Sequence, residues 1–392
     1  MAGKTIVLCL DGTNNEFGRK NTNVVRLAQV AVKGDEQVVY YDPGVGTMPD
    51  PSTFTRLGKW LSRIMGLAFG LGLGRNVGQA YRFLMQNYED GDRIFIFGFS
   101  RGAYTARVLA GLIHQLGLLR PGLENLVEYA VRLSAGVNDL DGADDREKDG
   151  YWETCKSFRK SFSRSRQVEV DGELTTTHRI PIEFLGLWDT VSSVGWVWEP
   201  KRFPYTAKND SVRKVRHAIS LDERRCFYRP NRWRGPGVTD VVQLWFPGVH
   251  SDVGGGYEKH EDRRLWQASL DWMLDEAVEA GLKLEEGRRE HVHGAEEQVA
   301  TAWRTDPHRS LTAAWWPAEL FPKLPAGRGM RLPRLGLGRR RVIEPTDVMH
   351  RSVLDRLRSR DVDYDPPNLP REFVDRVLAL DEVPESLQVR GE

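Results

Sequence analysis

Apolar residues near the start of the chain fall into short dense runs, separated by stretches where they recur every three or four positions. Thr5 to Leu10 is the first run and ends in the turn Asp11-Gly12-Thr13; Gln37 to Tyr41 is the second, closed by Asp42-Pro43-Gly44. Between them Val24, Leu27, Ala28 and Ala31 share one helical face, and Val77, Ala80, Tyr81, Leu84 and Tyr88 mark another helix. Arg93 to Gly98 (RIFIFG) has the pattern of a buried strand, and Ala103 to Leu116 that of a buried helix. Short apolar strands alternating with helices predict an α/β fold. Its sheet is mostly parallel, with crossover helices on both faces.

The alternation weakens from Pro121 to Arg179, which holds an acidic stretch (Asp139 to Asp149) and a basic one (Phe158 to Arg166). A helical insertion between core strands is expected there, the usual place for a substrate-covering cap. Core strands resume at Pro181 to Leu187 and at Asp240 to Phe246, followed by an amphipathic helix from Arg264 to Gly281. Past Leu282, Pro and Gly recur, Trp303, Trp315 and Trp316 appear, and Arg328 to Arg341 is basic. The expected organisation is a catalytic unit over 1–281, with the insertion at 121–179, and an elaboration over 282–392 packed on it. Trp60 to Leu73 is apolar but carries Arg63 and falls short of the roughly 20 apolar residues that span a bilayer. A buried or substrate-covering segment is expected instead, with Ile64 to Leu73 a candidate wall of an acyl pocket.

Composition adds mainly exclusions. The chain has 392 residues, 40% hydrophobic and 28% charged, with a formal net charge of +1. No global field draws it to nucleic acid or to an anionic membrane. Cys9, Cys155 and Cys226 are too few for a disulfide framework, and no two have metal-ligand spacing. The N-terminus lacks the layout of a signal peptide. A cytoplasmic chain with reduced thiols is expected, with export by a dedicated secretion system left open.

The chemistry centres on Gly98-Phe99-Ser100-Arg101-Gly102, set between the strand RIFIF and the helix AYTARVLAGLI. A nucleophile elbow needs this context: the chain reverses sharply with the serine in a strained conformation, and flanking glycines remove side chains that would clash. The serine then lies at a helix N-terminus, where backbone N–H groups can stabilise an oxyanion. A hydroxyl is a weak nucleophile and needs a base oriented by a carboxylate, in chain order Ser, Asp or Glu, His. Asp189 directly follows PIEFLGLW, and His250 follows VVQLWF through Pro247-Gly248-Val249. His114 lies within a helix and His178 precedes Asp189. No strand end comes before His217, His260, His291, His293 or His308, so His350 is the one serious rival.

Asp11-Gly12-Thr13 resembles the end of the D-x-D-G-T motif of haloacid-dehalogenase phosphatases, but Cys9 stands where that motif has its nucleophilic aspartate. The better assignment is an oxyanion-hole loop, with Gly12 or Thr13 joining Arg101 as N–H donors. Asp11, His250 and Asp252 suggest metal-assisted hydrolysis as an alternative, without any accompanying H-E-x-x-H or His/Cys cluster. The glycines of 70–78 form no dinucleotide fingerprint. Neither a cofactor nor a metal is expected in the leading reading. In Arg328 to Arg341, Met330, Leu332, Leu335 and Leu337 interleave with arginines, a mixture suited to transient contact with a membrane surface. A solvated mobile loop is the preferred assignment.

Taken together, IVLCLDGTNNEF, GDRIFIFGFSRGAYTARVLAGLI, FLGLWDTV and WFPGVHSDVGGGY resemble, in order, the catalytic domain of the type VI secretion phospholipase effectors and their bacterial and fungal relatives. Fainter traces (HRSLTAAWW, MHRSVLDR, DPPNLP) carry the likeness towards the end of the chain. The resemblance implies an α/β-hydrolase topology, with nucleophile, acid and base on Ser100, Asp189 and His250. It also implies cleavage of carboxylic esters, which are phospholipid acyl esters for the secreted members. The chain is shorter than those effectors, so a housekeeping esterase or lipase is an alternative; a catalytically silent binding protein on the same fold is a second.

Overall fold

A computed structural model describes residues 3–12, 18, 20–44, 69–140, 143–191, 203–234, 239–257, 263–320 and 335–390. Thr13, residues 60–68 of the apolar segment and residues 328–334 of the basic segment lie outside them.

Ten strands lie among the described residues. They are β1 (Thr5–Leu10), β2 (Gln37–Asp42), β3 (Arg93–Phe99), β4 (Arg166–Val170), β5 (Glu173–Thr177), β6 (Ile182–Trp188), β7 (Val212–Ser220), β8 (Asp240–Phe246), β9 (Val348–His350) and β10 (Ser386–Gln388). Eight of them form one sheet in the order β10-β9-β8-β7-β6-β3-β1-β2, parallel throughout except for β10, which runs antiparallel to β9. Strands β4 and β5 make a separate hairpin inside the 121–179 insertion.

Helices cover both faces. One face carries α1 (Asn23–Val30) and the helix Trp266–Glu279, packed through Val24, Leu27, Leu270, Met273 and Leu274 onto Val7, Phe95, Phe97 and Phe184. The other carries α2 (Phe69–Asn87) and α3 (Arg101–Leu116), whose Val77, Tyr81, Leu109 and Ile113 pack on Ile6, Leu8, Ile94 and Ile96. Alternate residues of β1 and β3 thus serve opposite cores, and both faces are apolar because both are covered.

Two features depart from the sequence pattern. Strand β7 sits near the centre of the sheet, yet its sequence VRKVRHAIS carries charges that break the apolar run. These charges are accommodated at the strand's outer end: Arg213 pairs with Glu183 at 2.8 Å, and Arg216 pairs with Asp240 at 2.8 Å and with Glu276. The second departure is the C-terminal region, which supplies two strands of the sheet and a third core. There Trp245 and Met349 pack with Val353, Leu354, Phe373 and Val377 of the helices Arg351–Arg358 and Arg371–Leu378.

The described helices of the insertion, Val127–Ala135 and Asp145–Phe162, attach at the C-terminal end of α3. Gln115 donates to Tyr151 Oη at 2.8 Å and accepts from Ser134 Oγ at 2.8 Å, while Ser163 bonds to Leu116 O. A 16-residue helix is about 24 Å long, so these contacts are remote from Ser100 at its other end. Among the described residues, no helix is long and apolar enough to cross a membrane.

Candidate active site

The register of the sheet decides which turns meet. Phe99 pairs with Trp188 and Trp188 with Ala218, so the residues just past β3 and β6 leave the sheet's carboxyl edge side by side. These residues are Ser100 and Asp189. Ser100 N donates to Trp188 O at 2.9 Å and Asp189 N to Ala218 O at 2.7 Å, carrying the ladder into both turns. Each then breaks the extended conformation, with φ of 58° at Ser100 and 40° at Asp189. A non-glycine residue pays about 1–3 kcal/mol for such a backbone, and strain of this kind concentrates at functional sites.

The glycines around Ser100 are required sterically. A Cβ on Gly102 would lie 2.2 Å from Leu10 O, and one on Gly98 would lie 2.6 Å from Gly102 O. Only glycine lets α3 begin against the backbone of β1 and reverse this tightly.

The histidine arrives from the neighbouring edge. After β8 the turn Pro247-Gly248-Val249 leads into the short helix His250–Gly254. The loop beyond β7 holds that turn in place: Asp222 Oδ2 accepts from Gly248 N at 2.7 Å, and Glu223 Oε2 accepts from His250 N at 3.2 Å. Helix α1 secures the other side, with Asn23 Nδ2 donating to Val253 O at 2.9 Å and to Ser269 Oγ at 3.1 Å.

The three predicted residues therefore meet in a line. His250 Nε2 lies 2.8 Å from Ser100 Oγ, and His250 Nδ1 lies 2.5 Å from Asp189 Oδ2. All three are buried, Asp189 completely. The imidazole is held flat between Phe99, at 4.6 Å between ring centroids, and Tyr228, edge-on at 4.7 Å. Burial pushes its pKa below the ordinary histidine value, against the opposing pull of Asp189.

The remaining predicted site residues are less uniform. Arg101 opens α3, in the first turn where backbone N–H groups lack intrahelical acceptors. Gly12 N, an expected oxyanion donor, donates to Asp11 Oδ1 at 2.6 Å and is thus occupied in the structure. Asp11 Oδ2 accepts from Thr22 Oγ1 at 2.7 Å and Tyr41 Oη at 3.1 Å. Asp252 accepts from Val249 N at 2.9 Å and faces His308, whose Nδ1 is 2.5 Å from Asp252 Oδ1. Both nitrogens of His250 are engaged by Ser100 and Asp189. The side chains of the metal alternative thus point at different partners, and no group of three or more potential ligands is arranged for a metal among the described residues.

His350, the rival base, caps the helix Arg351–Arg358 through Ser352 N and stacks on Phe246 at 4.3 Å. Burial brings its pKa down to about 3. His308, set aside for want of a preceding strand, belongs beside the site through Asp252.

One residue overturns its assignment outright. Arg341, placed by the sequence in a solvated basic loop, is buried against Asp189: Nη1 donates to Oδ1 at 2.5 Å and Nη2 to Oδ2 at 3.0 Å. Asp189 also accepts from Ser220 N at 2.9 Å and Ser220 Oγ at 3.1 Å. Burial alone would raise the Asp189 pKa, but the Arg341 guanidinium and His250 outweigh it and hold the carboxyl well below the usual carboxylate range. Sequence pattern offered no way to separate Arg341 from Arg339 and Arg340. Glu223 was missed because β7, which delivers it, was missed. Desolvation opposes its ionisation, but its ion pair with Arg225 at 2.9 Å carries the pKa down to about 2.

A strained serine between a parallel strand and its crossover helix, with a histidine from a later strand end on its hydroxyl, is the architecture of the α/β-hydrolases. Within that class, the chain belongs to the family described as the T6SS phospholipase effector Tle1-like catalytic domain, whose model matches residues 4–276. It is 39% identical over 238 residues to the uncharacterized protein YEL023C of Saccharomyces cerevisiae. That alignment takes in 57% of this chain but 32% of the yeast protein, so the match spans about a third of that relative's length. Among solved structures, an uncharacterized protein from Pseudomonas aeruginosa aligns at 20% identity and a TM-score of 0.42, over 78% of this chain and 52% of that one. The Tle1 effector bound to the VgrG spike of the type VI secretion system aligns at 19% identity and a TM-score of 0.34, over 66% of this chain and 52% of that one.

Proposed function

We propose that the protein hydrolyses carboxylic esters through an acyl-enzyme on Ser100, with lipid acyl esters as the substrate class. The observation that carries this reading is the 2.8 Å approach of His250 Nε2 to Ser100 Oγ, with Nδ1 at 2.5 Å from Asp189. His250 takes the hydroxyl proton as Ser100 Oγ attacks the ester carbonyl, and Asp189 holds the imidazole in the tautomer with its lone pair on Nε2. The developing oxyanion draws on the Arg101 N–H at the start of α3. Gly12 N–H joins it if the Asp11 carboxylate yields that donor. Collapse of the tetrahedral species passes the proton from His250 to the departing alcohol. Water then enters by the reverse route and releases the acid.

Membership of a phospholipase effector family favours a lipid ester over a small soluble one.

The test compares wild type with Ser100→Ala on short- and long-chain p-nitrophenyl esters and on fluorogenic phospholipids, with and without chelator. Turnover lost in Ser100→Ala by about 10⁴-fold or more, and unaffected by chelator, is the expected result. Turnover surviving Ser100→Ala overturns the nucleophile assignment. Loss with chelator alone points to the metal alternative.

A further inference from the structure

We propose that Arg341 is a positioning residue for this hydrolysis: its guanidinium is the fixed counter-ion of Asp189 and leaves His250 free to be a neutral base. The inference rests on the Ser100–His250–Asp189 reading and adds a fourth member from a part of the chain beyond residues 4–276, where the family match lies.

Asp189 has no exposed surface. A carboxylate withdrawn from water takes a proton unless a cation or hydrogen-bond donors hold its charge. With the histidine as its one charged partner, the carboxylate would favour the imidazolium and raise the pH at which His250 turns neutral, and an imidazolium cannot accept the Ser100 proton. Arg341 removes that outcome. Its two Nη atoms span both carboxylate oxygens, and arginine stays charged at any working pH. Asp189 therefore remains ionised before and after proton transfer, and His250 need not supply the compensating charge.

The surroundings show how firmly the guanidinium is held. Arg341 Nη1 also donates to Ser220 O and Ser220 Oγ, each at 2.8 Å, and Nη2 to Tyr228 O at 2.5 Å. Its Nε is buried without a hydrogen-bond partner, a cost that the Nη contacts must offset. Because Tyr228 packs on the imidazole, Arg341 braces both the acid and one wall of the base.

The other charged and titratable groups around the pair are accounted for. Glu223 and Arg225, from the loop after β7, form their own ion pair at 2.9 Å, and Asp252 on the histidine's own helix is matched with His308. Behind Asp189, His217 is fully buried and accepts from Thr190 N at 3.2 Å through Nε2. Burial takes its pKa down to about 3. Arg107, on α3, donates to the backbone carbonyl of Arg232. None of these groups replaces Arg341 on the Asp189 carboxylate.

The experiment is the pH profile of kcat/KM for p-nitrophenyl ester hydrolysis by the full chain, for wild type, Arg341→Met, Arg341→Lys and Ser100→Ala. Without its counter-ion the Asp189–His250 pair holds a proton more tightly, so the acid limb of Arg341→Met moves up by about one to two pH units, with activity partly recovered at higher pH. Arg341→Lys restores the charge but not the fork: its limb stays near wild type while kcat falls. A folded Arg341→Met whose limb does not move overturns the proposal, even if its kcat drops.

Should that variant fail to fold, the wild-type chain carries the test through the downfield Nδ1 proton of His250 in NMR. Ionisation at or below the ordinary histidine value of about 6.5 is the result expected with the counter-ion in place, and ionisation above it overturns the proposal. Ester turnover by Ser100→Ala would instead sink the triad on which the inference rests. An inactive Ser100→Ala beside an unmoved Arg341→Met limb sinks the Arg341 proposal alone.

Discussion

Ser100 and Asp189 both sit at positive φ, at the ends of adjacent strands, and both are non-glycine residues. Strain retained at two points of one site is bearable only where the surroundings over-determine it, as the ladder bonds and the Asp189 contacts do here. That Ser100, Asp189 and His250 meet at one end of the sheet was legible because each follows a dense apolar strand, a signal confined to a few residues. Arg341 and Glu223 were not, since their roles arise from contacts 152 and 27 residues away along the chain. Two outcomes belong to this scale. Asp189→Asn keeps the size but donates where it should accept, favouring the wrong imidazole tautomer; kcat is expected to fall by about 10⁴-fold in steady-state assays. In the proposed mechanism His250 acts as the neutral base, and burial lowers its pKa, so turnover is expected to fail as pH falls through a value below about 6.5. An acid limb centred above that value in a kcat/KM profile would contradict this assignment.

The elbow works as an element because α3 starts hard against β1. Gly102→Ala would drive a Cβ into the Leu10 carbonyl, a backbone atom that cannot step aside. The expected loss is at or beyond the upper end of the roughly 1–3 kcal/mol typical of overpacking, read by urea denaturation, with ester turnover falling in parallel. The same strand buries Cys9 completely between β2 and β3, and burial raises its thiol pKa far above the usual range. Cys9 should therefore resist thiol reagents until the chain unfolds; rapid labelling of the native protein would show that β1 opens. Strands dense in apolar residues, β1, β2, β3, β6 and β8, were readable from the sequence. Strand β7 was not, because its arginines and lysine are neutralised by partners on β6, β8 and the helix Trp266–Glu279, which no local pattern reveals.

At the scale of the whole molecule, the C-terminal region completes the sheet and reaches into the site. Phe373 lies in the third core with Trp245 and Val377, and Phe373→Ala should cost about 3–5 kcal/mol of stability. Because Arg341 lies in the same C-terminal region, partial unfolding there would weaken turnover before the sheet itself melts. Coincident loss of activity and of far-UV signal on denaturation would contradict this. Acid sensitivity is also set at this scale. His217 and His350 are buried and held neutral, each with a pKa near 3, so the unfolded chain binds more protons below the ordinary histidine value. Their contribution to stability is complete above about pH 6.5 and declines as pH falls towards 3. A melting temperature that rises on acidification across that window would refute this placement of the two rings.

Covalent labelling tests Ser100 as the nucleophile most directly. Intact-mass and peptide mass spectrometry after exposure to a fluorophosphonate should find one adduct, on Ser100, formed quickly in wild type and slowly in His250→Gln. An unmodified Ser100 in a preparation that still turns over ester, or an adduct on another residue, would contradict the central claim.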